Sequence, residues 1–235
     1  MVIIGIDLAW GERNRDDMCT IHFTRDGVYV EDFAYPHGDD QLIEELQQRL
    51  SPSSRALLTV DAPLVVPNRR GSRPVDRLTH RLFHHQHAGC HPANAERCSR
   101  PPRVLRALRR LGFRPGWDLT AHRRVVAEVY PHPALVRMLQ LPRIIKYKRG
   151  PAASRHEEFR RLQRGLQTAI PLLFPMLELR DATPQLLVQP WSKQVEDLTD
   201  GLVCALIGLW HWRFRGRRSQ ILGNRRTGFI LLPVI

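Results

Sequence analysis

The chain has 235 residues, of which 43% are hydrophobic, and its 36 lysines and arginines outnumber its 23 aspartates and glutamates to give a formal net charge of +13. This length allows a large buried core, and we expect a single domain over residues 1–235. The sequence contains no apolar run of the roughly 18 residues that cross a membrane, and no basic-then-apolar signal segment. We therefore expect a cytoplasmic protein with no membrane partner.

Arginine carries almost all of the positive charge, since lysine occurs only at Lys146, Lys148 and Lys193. A surplus of this size favours polyanionic partners, and nucleic acid, either DNA or RNA, is the obvious one. The alternative is that the arginines are solvated surface charges without a partner. The charge therefore indicates a class of partner and not a reaction.

The first part of the chain is predicted to form three strands. Residues 2–9 are mostly apolar and β-branched, which is typical of a strand buried on both faces, and Asp7 lies near its end. Strands at 18–24 and 28–35 follow, and Arg25-Asp26-Gly27 between them is a hairpin signal. Burying a carboxylate without a partner is unfavourable. Asp7 is therefore either a turn-capping group, or a metal ligand or catalytic group on a rigid strand.

A second apolar strand also ends in an aspartate. A helix capped by Asp39 or Asp40 is predicted first, and a strand over residues 55–61 then ends in Asp61. A right-handed crossover would place this strand parallel to the first one. If the two are neighbours, Asp7 and Asp61 emerge at the same carboxyl edge of the sheet, where ligands bind in open α/β proteins.

The segment over about residues 72–122 has few strand signals, and we interpret it as a helical insertion. Arginines in the loop before it and along its second helix have a spacing that suits a phosphate backbone. A solvated surface would explain them equally well. The candidate nucleic-acid-binding residues are Arg69, Arg70, Arg73, Arg103, Arg106 and Arg110.

Histidines and cysteines in the same segment raise the question of zinc. His80 and His84 are four residues apart, and Cys90 and Cys98 follow. The spacing matches none of the regular finger or ribbon patterns, so a solvated helix and loop is the preferred interpretation.

Two later elements bring further carboxylates. Glu128 lies inside an apolar strand over residues 125–130, and a long helix from Ser192 carries Asp197 and Asp200 on one face near its start. Carboxylates at a helix N-terminus also gain from the helix dipole, which is the alternative explanation for this pair.

These elements predict an α/β fold with a mixed five-stranded sheet flanked by helices, and a basic C-terminal hairpin over about residues 218–235. Carboxylates that meet without cations repel one another, whereas Mg²⁺ or Mn²⁺ would relieve the repulsion. Two such ions about 4 Å apart can activate water and stabilise the leaving oxygen in phosphodiester cleavage. The predicted metal ligands are Asp7, Asp61, Glu128, Asp197 and Asp200.

Four segments together resemble a known family, the domain-of-unknown-function family 429, whose members are described as predicted RNase-H-like nucleases. The segments are Gly5-Ile6-Asp7-Leu8-Ala9-Trp10, Asp61-Ala62-Pro63-Leu64, Glu128-Val129-Tyr130-Pro131 and Asp197-Leu198-Thr199-Asp200-Gly201-Leu202-Val203-Cys204-Ala205. The order of a three-strand meander, a helix, parallel strands and a final helix is also similar to the RNase H fold.

The resemblance implies a metal-dependent nuclease with an RNase-H-like carboxylate site. It places the proposed catalytic acids on Asp7, Asp61, Glu128 and Asp200, and the Asp197/Asp200 pair is similar to the D-x-x-D of RuvC-type resolvases. Family members often carry alanine where Gly201 follows the last aspartate, so this position departs from the family pattern.

Two other functions remain open alternatives. The chain could be a nucleic-acid-binding protein of the same fold without catalysis, which the net charge of +13 would support. An actin-like nucleotide-binding protein is less compatible, because such proteins need glycine-rich phosphate turns and only Gly11 follows the first aspartate closely. His132 is a candidate for proton transfer or an ordinary loop histidine. The sequence leaves the type of nucleic acid and the oligomeric state open.

Overall fold

The computed structural model describes residues 1–51, 55–180 and 182–235. This part of the chain contains nine strands and seven α-helices. The strands are β1 (Val2–Asp7), β2 (Asp17–Phe23), β3 (Val28–Ala34), β4 (Ala56–Asp61), β5 (Arg114–Pro115), β6 (Arg124–Glu128), β7 (Leu177–Leu179), β8 (Ser219–Asn224) and β9 (Gly228–Pro233). The helices are α1 (Gly38–Arg49), α2 (Pro74–Phe83), α3 (Arg100–Arg110), α4 (Pro131–Met138), α5 (Ala152–Leu173), α6 (Ala182–Leu186) and α7 (Lys193–Arg213), and His84–Gln86 forms a 3₁₀ turn.

A seven-stranded mixed sheet forms the centre, with the strand order β5-β6-β4-β1-β2-β3-β7. β1 pairs antiparallel with β2 and parallel with β4, and β4 pairs parallel with β6. These central strands are apolar on both faces because helices cover both sides of the sheet. Ile4 and Ile6 pack on one side with residues of α1 and α3, and Ile3 packs on the other with residues of α4, α5 and α7.

Helix α7 packs closely along β1. A side chain at Gly5 would place a Cβ 2.1 Å from the backbone nitrogen of Ala205, so only glycine fits this crossing. Ser192 caps the helix by accepting a hydrogen bond of 3.2 Å from the backbone N–H of Val195. Since Gly201 and Ala205 lie against Gly5 while Gly208 lies against Ile3, the helix begins at the carboxyl end of β1 and runs back along it.

The mixed α/β fold and the terminal hairpin predicted from sequence are confirmed. The sheet has seven strands and not five, because the short strands β5 and β7 extend its two edges. The predicted caps of α1 are wrong, since the helix begins at Gly38 and neither Asp39 nor Asp40 caps it. The break predicted after this helix at 51–54 falls largely on residues 52–54, which lie outside the described residues.

The predicted insertion contains α2, the 3₁₀ turn, α3 and β5. Arg100 at the start of α3 is almost fully buried and pairs with Asp16 at 2.6 Å and with Asp39 at 2.8 Å. It also donates to the carbonyl oxygen of Ala9 at 2.8 Å, so one guanidinium holds both ends of the loop between β1 and β2.

Across the described residues, no helix combines the length and the apolar character needed to cross a membrane.

Candidate metal centre

Three neighbouring strands bring aspartates to one edge of the sheet. The Cα of Asp7 is paired with that of Asp61 on β4 and with that of Asp17 on β2. Asp7 is partly exposed, Asp61 is partly buried, and Asp17 is only 2% exposed. The prediction that Asp7 and Asp61 end adjacent parallel strands therefore matches the observed register.

Helix α7 adds two further aspartates to this edge. One carboxylate oxygen from each of Asp7, Asp197 and Asp200 lies within 4.8 Å of the other two, which is close enough for one cation to contact all three. Asp200 is fully buried and Asp197 is 8% exposed. We call Asp7, Asp17, Asp61, Asp197 and Asp200 the acidic cluster.

The two helix aspartates are each held by one tyrosine and one lysine. Tyr147 donates to Asp200 Oδ1 at 2.5 Å, and Lys148 Nζ lies 2.7 Å from Asp200 Oδ2. Tyr35 donates to Asp197 Oδ2 at 2.7 Å, and Lys193 donates to Asp197 Oδ1 at 2.6 Å. These contacts fix the rotamers of two candidate ligands before any cation binds.

The strand aspartates have far fewer partners within the described residues. Asp61 receives neither a hydrogen bond nor an ion pair there, and Asp7 has only Lys148 at 3.6 Å. Asp17 Oδ1 is buried without a hydrogen-bond partner in the same part of the chain. A buried carboxylate oxygen without a partner is unfavourable, so the strand side of the cluster is deficient in positive charge.

This deficiency shifts the proton affinities of the cluster. Burial and then the charge of Asp7 raise the pKa of Asp17 and of Asp61 well above their usual value. Burial raises the pKa of Asp200 to about 6, although Lys148 and Tyr147 oppose the rise. Several carboxyl groups that resist ionisation beside one another indicate a site that is stabilised by added positive charge.

The acidic cluster faces a cleft of about 540 Å³ with a basic rim. The loop between β1 and β2 contributes exposed Trp10, Arg13 and Arg15, and Arg149 lies on another side. None of these three arginines forms an ion pair with a carboxylate among the described residues. The rim therefore presents positively charged arginine side chains to an anionic ligand, and carboxylates line the inner part of the cleft.

A scan against protein-family models matches the description "Protein of unknown function (DUF429)" over residues 5–226. The chain belongs to the DUF429 family. Searches of the curated proteins and of the solved structures give no match.

In this DUF429 protein, Glu128 differs from the strand aspartates of the acidic cluster because an arginine is its counter-ion. Arg73 Nη2 lies 2.6 Å from Glu128 Oε1 and 2.7 Å from Asp76 Oδ1, and all three side chains are buried. The backbone N–H of Leu64 also donates to Glu128 at 3.1 Å. Glu128 therefore already has a cationic partner, and we leave it out of the proposed ligand set below.

The predicted nucleic-acid-binding arginines of the DUF429 protein lie in three different environments. Arg73 is buried in the ion pairs just described and faces no solvent, while Arg103 pairs with Asp39 at 2.7 Å. Arg69 and Arg70 are exposed beside Glu96, and Arg106 and Arg110 are exposed on α3. None of the six lines the acidic cleft, so any role of theirs in binding stays a prediction.

The histidine and cysteine candidates are not gathered around a metal position in the described residues, where the acidic triplet is the sole group of potential ligands found. His80 and His84 stack on each other with ring centroids 5.6 Å apart. His132 does line the cleft, and burial lowers its pKa to about 3, so it is neutral at physiological pH. A proton-transfer role for His132 remains untested.

Sequence reasoning missed Asp17, Tyr147 and Lys148. Asp17 follows Asp16 in a polar stretch that reads as a turn, and nothing local reveals that its side chain faces the cluster. Lys148 belongs to a basic connector before α5, where it resembles its solvated neighbours Lys146 and Arg149. The available signal for Lys148 was the rarity of lysine, since the chain contains only three.

Proposed function

We propose that this protein is a divalent-metal-dependent phosphodiester hydrolase, a nuclease with an RNase-H-like carboxylate site. The observation that carries the proposal is the convergence of one oxygen each from Asp7, Asp197 and Asp200 within 4.8 Å of one another, where Asp7 and Asp197 line a cleft with a basic rim. The membership of the DUF429 family is compatible with it but names no reaction.

The residues of the cluster fit Mg²⁺ or Mn²⁺. Every donor is a carboxylate oxygen, which is the ligand type that these hard cations prefer over zinc. Within the described part of the chain, Asp17 Oδ1 has no hydrogen-bond partner and Asp61 has no ion pair, and both observations support a site that takes up added positive charge. Asp7, Asp197 and Asp200 would hold the ion, with Asp61 and Asp17 adding negative charge around it. A bound divalent ion would supply an activated water and charge stabilisation at phosphorus.

The chain's own residues would bind and orient the substrate. Arg13, Arg15 and Arg149 at the rim would bind phosphate oxygens, and exposed Trp10 offers a face on which a base can stack. Hydrolysis forms a bond from the water oxygen to phosphorus and breaks the bond from phosphorus to the leaving ester oxygen. The leaving oxygen gains a proton, so the products are a phosphomonoester and a hydroxyl.

The test is cleavage of labelled single-stranded, double-stranded and branched DNA and RNA with Mg²⁺ or Mn²⁺. We expect wild-type cleavage to require the ion and Asp7→Asn to lower the rate by at least about 100-fold, because even groups behind a metal ligand contribute about 10–100-fold. Asp26→Asn, in the exposed turn between β2 and β3, is the matched control and should cleave like wild type.

Two outcomes would contradict the proposal. Cleavage that persists in Asp7→Asn would show that another site, or a contaminating enzyme, does the chemistry. Salt-sensitive binding of nucleic acid without cleavage in any metal would favour the alternative of a non-catalytic binding protein.

A further inference from the structure

Lys148 lies inside the acidic cluster, between a strand aspartate and a helix aspartate. Its Nζ is 2.7 Å from Asp200 Oδ2 and 3.6 Å from Asp7 Oδ2. Its side chain is 31% exposed, so most of it is enclosed by the protein. The ammonium therefore occupies a position between two carboxylates that would otherwise be available to a metal ion.

The residue before Lys148 restricts its movement. Tyr147 is fully buried, and its hydroxyl donates to the other oxygen of the same carboxylate, Asp200 Oδ1, at 2.5 Å. Two consecutive residues thus contact the two oxygens of one aspartate. Because the tyrosine anchors this segment in the core, the backbone of Lys148 is held beside the cluster, and its ammonium starts from a fixed point next to Asp200.

Lys193 contacts Asp197 in a different way. It lies on the same helix as its partner, four residues away, and its side chain is 66% exposed. It contacts Glu196 at 3.1 Å as well, so it is an ordinary surface ion pair along a helix. Lys193 contacts no strand aspartate among the described residues, so it does not lie between strand and helix carboxylates as Lys148 does.

The formal charges favour a single added ion. If Lys193 balances Asp197, the remaining carboxylates are Asp7, Asp17, Asp61 and Asp200, and Lys148 is their one positive partner among the described residues. Fully ionised, this group carries three negative charges in excess. One divalent cation would leave one negative charge, whereas two would reverse the sign of the group before any substrate phosphate arrives.

We propose that the Lys148 ammonium permanently takes one of the two cation positions of the cluster, so that the protein binds one divalent ion between Asp7, Asp197 and Asp200. This inference rests on the proposed function, and it names Lys148 as the group that replaces the second ion of a two-metal site. In the reaction, Lys148 would stabilise negative charge on the phosphate oxygens while the single ion is held on the other side.

The test counts bound Mn²⁺ on the full-length chain by calorimetric titration and by electron paramagnetic resonance. We expect wild type to bind one ion with the spectrum of an isolated Mn²⁺. Lys148→Met should bind two ions, with the broadened spectrum of two spins about 4 Å apart. Lys146→Met, the same change at an exposed lysine two residues before Lys148, should bind one ion like wild type, and circular dichroism should show that both variants are folded.

The wild-type count decides the proposal even if Lys148→Met does not fold. Two coupled ions in wild type would overturn the inference and leave the proposed hydrolase intact. A single ion with unchanged affinity in folded Lys148→Met would also overturn it, because the lysine would then block no site. No Mn²⁺ binding by wild type would refute the metal-dependent function itself, and this inference with it.

Discussion

The acidic cluster and the buried group of Arg73, Asp76 and Glu128 both collect carboxylates near the carboxyl edge of the central sheet. In the second group, one guanidinium contacts both carboxylates at 2.6 and 2.7 Å. In the first, Asp61 has no ion pair among the described residues and Asp17 has an unpartnered oxygen. Burial raises the pKa of both Glu128 and Asp61. The next largest influence is Arg73 at Glu128, which opposes the rise, and Asp7 at Asp61, which adds to it and outweighs the opposing charge of Lys148.

The difference shows that a carboxylate at the end of a buried strand does not identify a metal site by itself. Asp61 and Glu128 lie near each other on adjacent strands, and their local sequences look alike. What separates them is a counter-charge that arrives from elsewhere in the chain. A candidate ligand is therefore a carboxylate that the fold leaves without sufficient positive charge.

The largest effect is expected from removing the guanidinium of Arg73 from the buried group that it forms with Asp76 and Glu128. Arg73→Met would leave Glu128 and Asp76 buried without a cation, which should lower the free energy of unfolding by about 3–5 kcal/mol. Urea denaturation measures this loss. Arg106→Met, an exposed change of the same type on α3, should stay within about 0.5 kcal/mol of wild type.

A loss below about 1 kcal/mol in Arg73→Met would contradict the contrast between the two groups of carboxylates. It would mean that the ion pairs with Arg73 do not offset the cost of burying Asp76 and Glu128. Adding Glu128→Gln to Arg73→Met should recover part of the loss, since one uncompensated charge is removed.

The next effect concerns pH in the acidic cluster. The folded protein holds protons on Asp200 up to a pH of about 6, whereas the unfolded chain releases them near the ordinary value of 3.8. The unfolded state therefore binds fewer protons over this window, and the contribution of Asp200 to stability is present at low pH and lost as pH rises from about 4 through 6. We expect a loss on the order of 2 kcal/mol without metal.

Chemical denaturation of wild type and Asp200→Asn at pH 4.5 and pH 7.5 isolates this contribution. The variant should lose less stability between the two pH values, and saturating Mn²⁺ should abolish the loss in wild type because the ion binds the ionised carboxylates. Equal losses in wild type and variant would show that Asp200 is not the group that titrates.

Much of the site could be predicted because its main members interrupt apolar patterns. Asp7 and Asp61 end buried strands, and Asp200 directly precedes the apolar stretch of α7, so each is anomalous beside its apolar neighbours. The crossover rule then places the two strand residues together. The seven-stranded width of the sheet was not predictable in the same way, since β5 and β7 have only two and three residues and no alternation to detect.

The parts of the site that could not be predicted depend on contacts between segments that are far apart in the sequence. The ion pair of Arg73 with Glu128 and the contact of Lys148 with Asp200 each join residues more than 50 positions apart. Local patterns contain no information on which cation will reach which carboxylate. For this reason Glu128 and Asp61 were predicted to play the same role, and no role was predicted for Lys148.

The smallest effect is expected at Gly201, which directly follows Asp200 on α7. A Cβ there would lie 2.3 Å from Asp17 Oδ1, so the glycine leaves space for a carboxylate oxygen that has no hydrogen-bond partner among the described residues. In Gly201→Ala, the cost of displacing Asp17, about 1–3 kcal/mol, is partly offset by about 1 kcal/mol of helix propensity. We expect a net loss of about 1 kcal/mol in urea denaturation.

The same substitution should change sign when Asp17 is shortened. In an Asp17→Ala background the clash is gone, so Gly201→Ala should stabilise the protein by up to about 1 kcal/mol through helix propensity alone. Such a reversal would show that the glycine is required by the carboxylate and not by the close packing of α7 on the sheet. An equal loss in both backgrounds would place the constraint on the backbone, as at Gly5, and would remove Asp17 from the description of the metal centre.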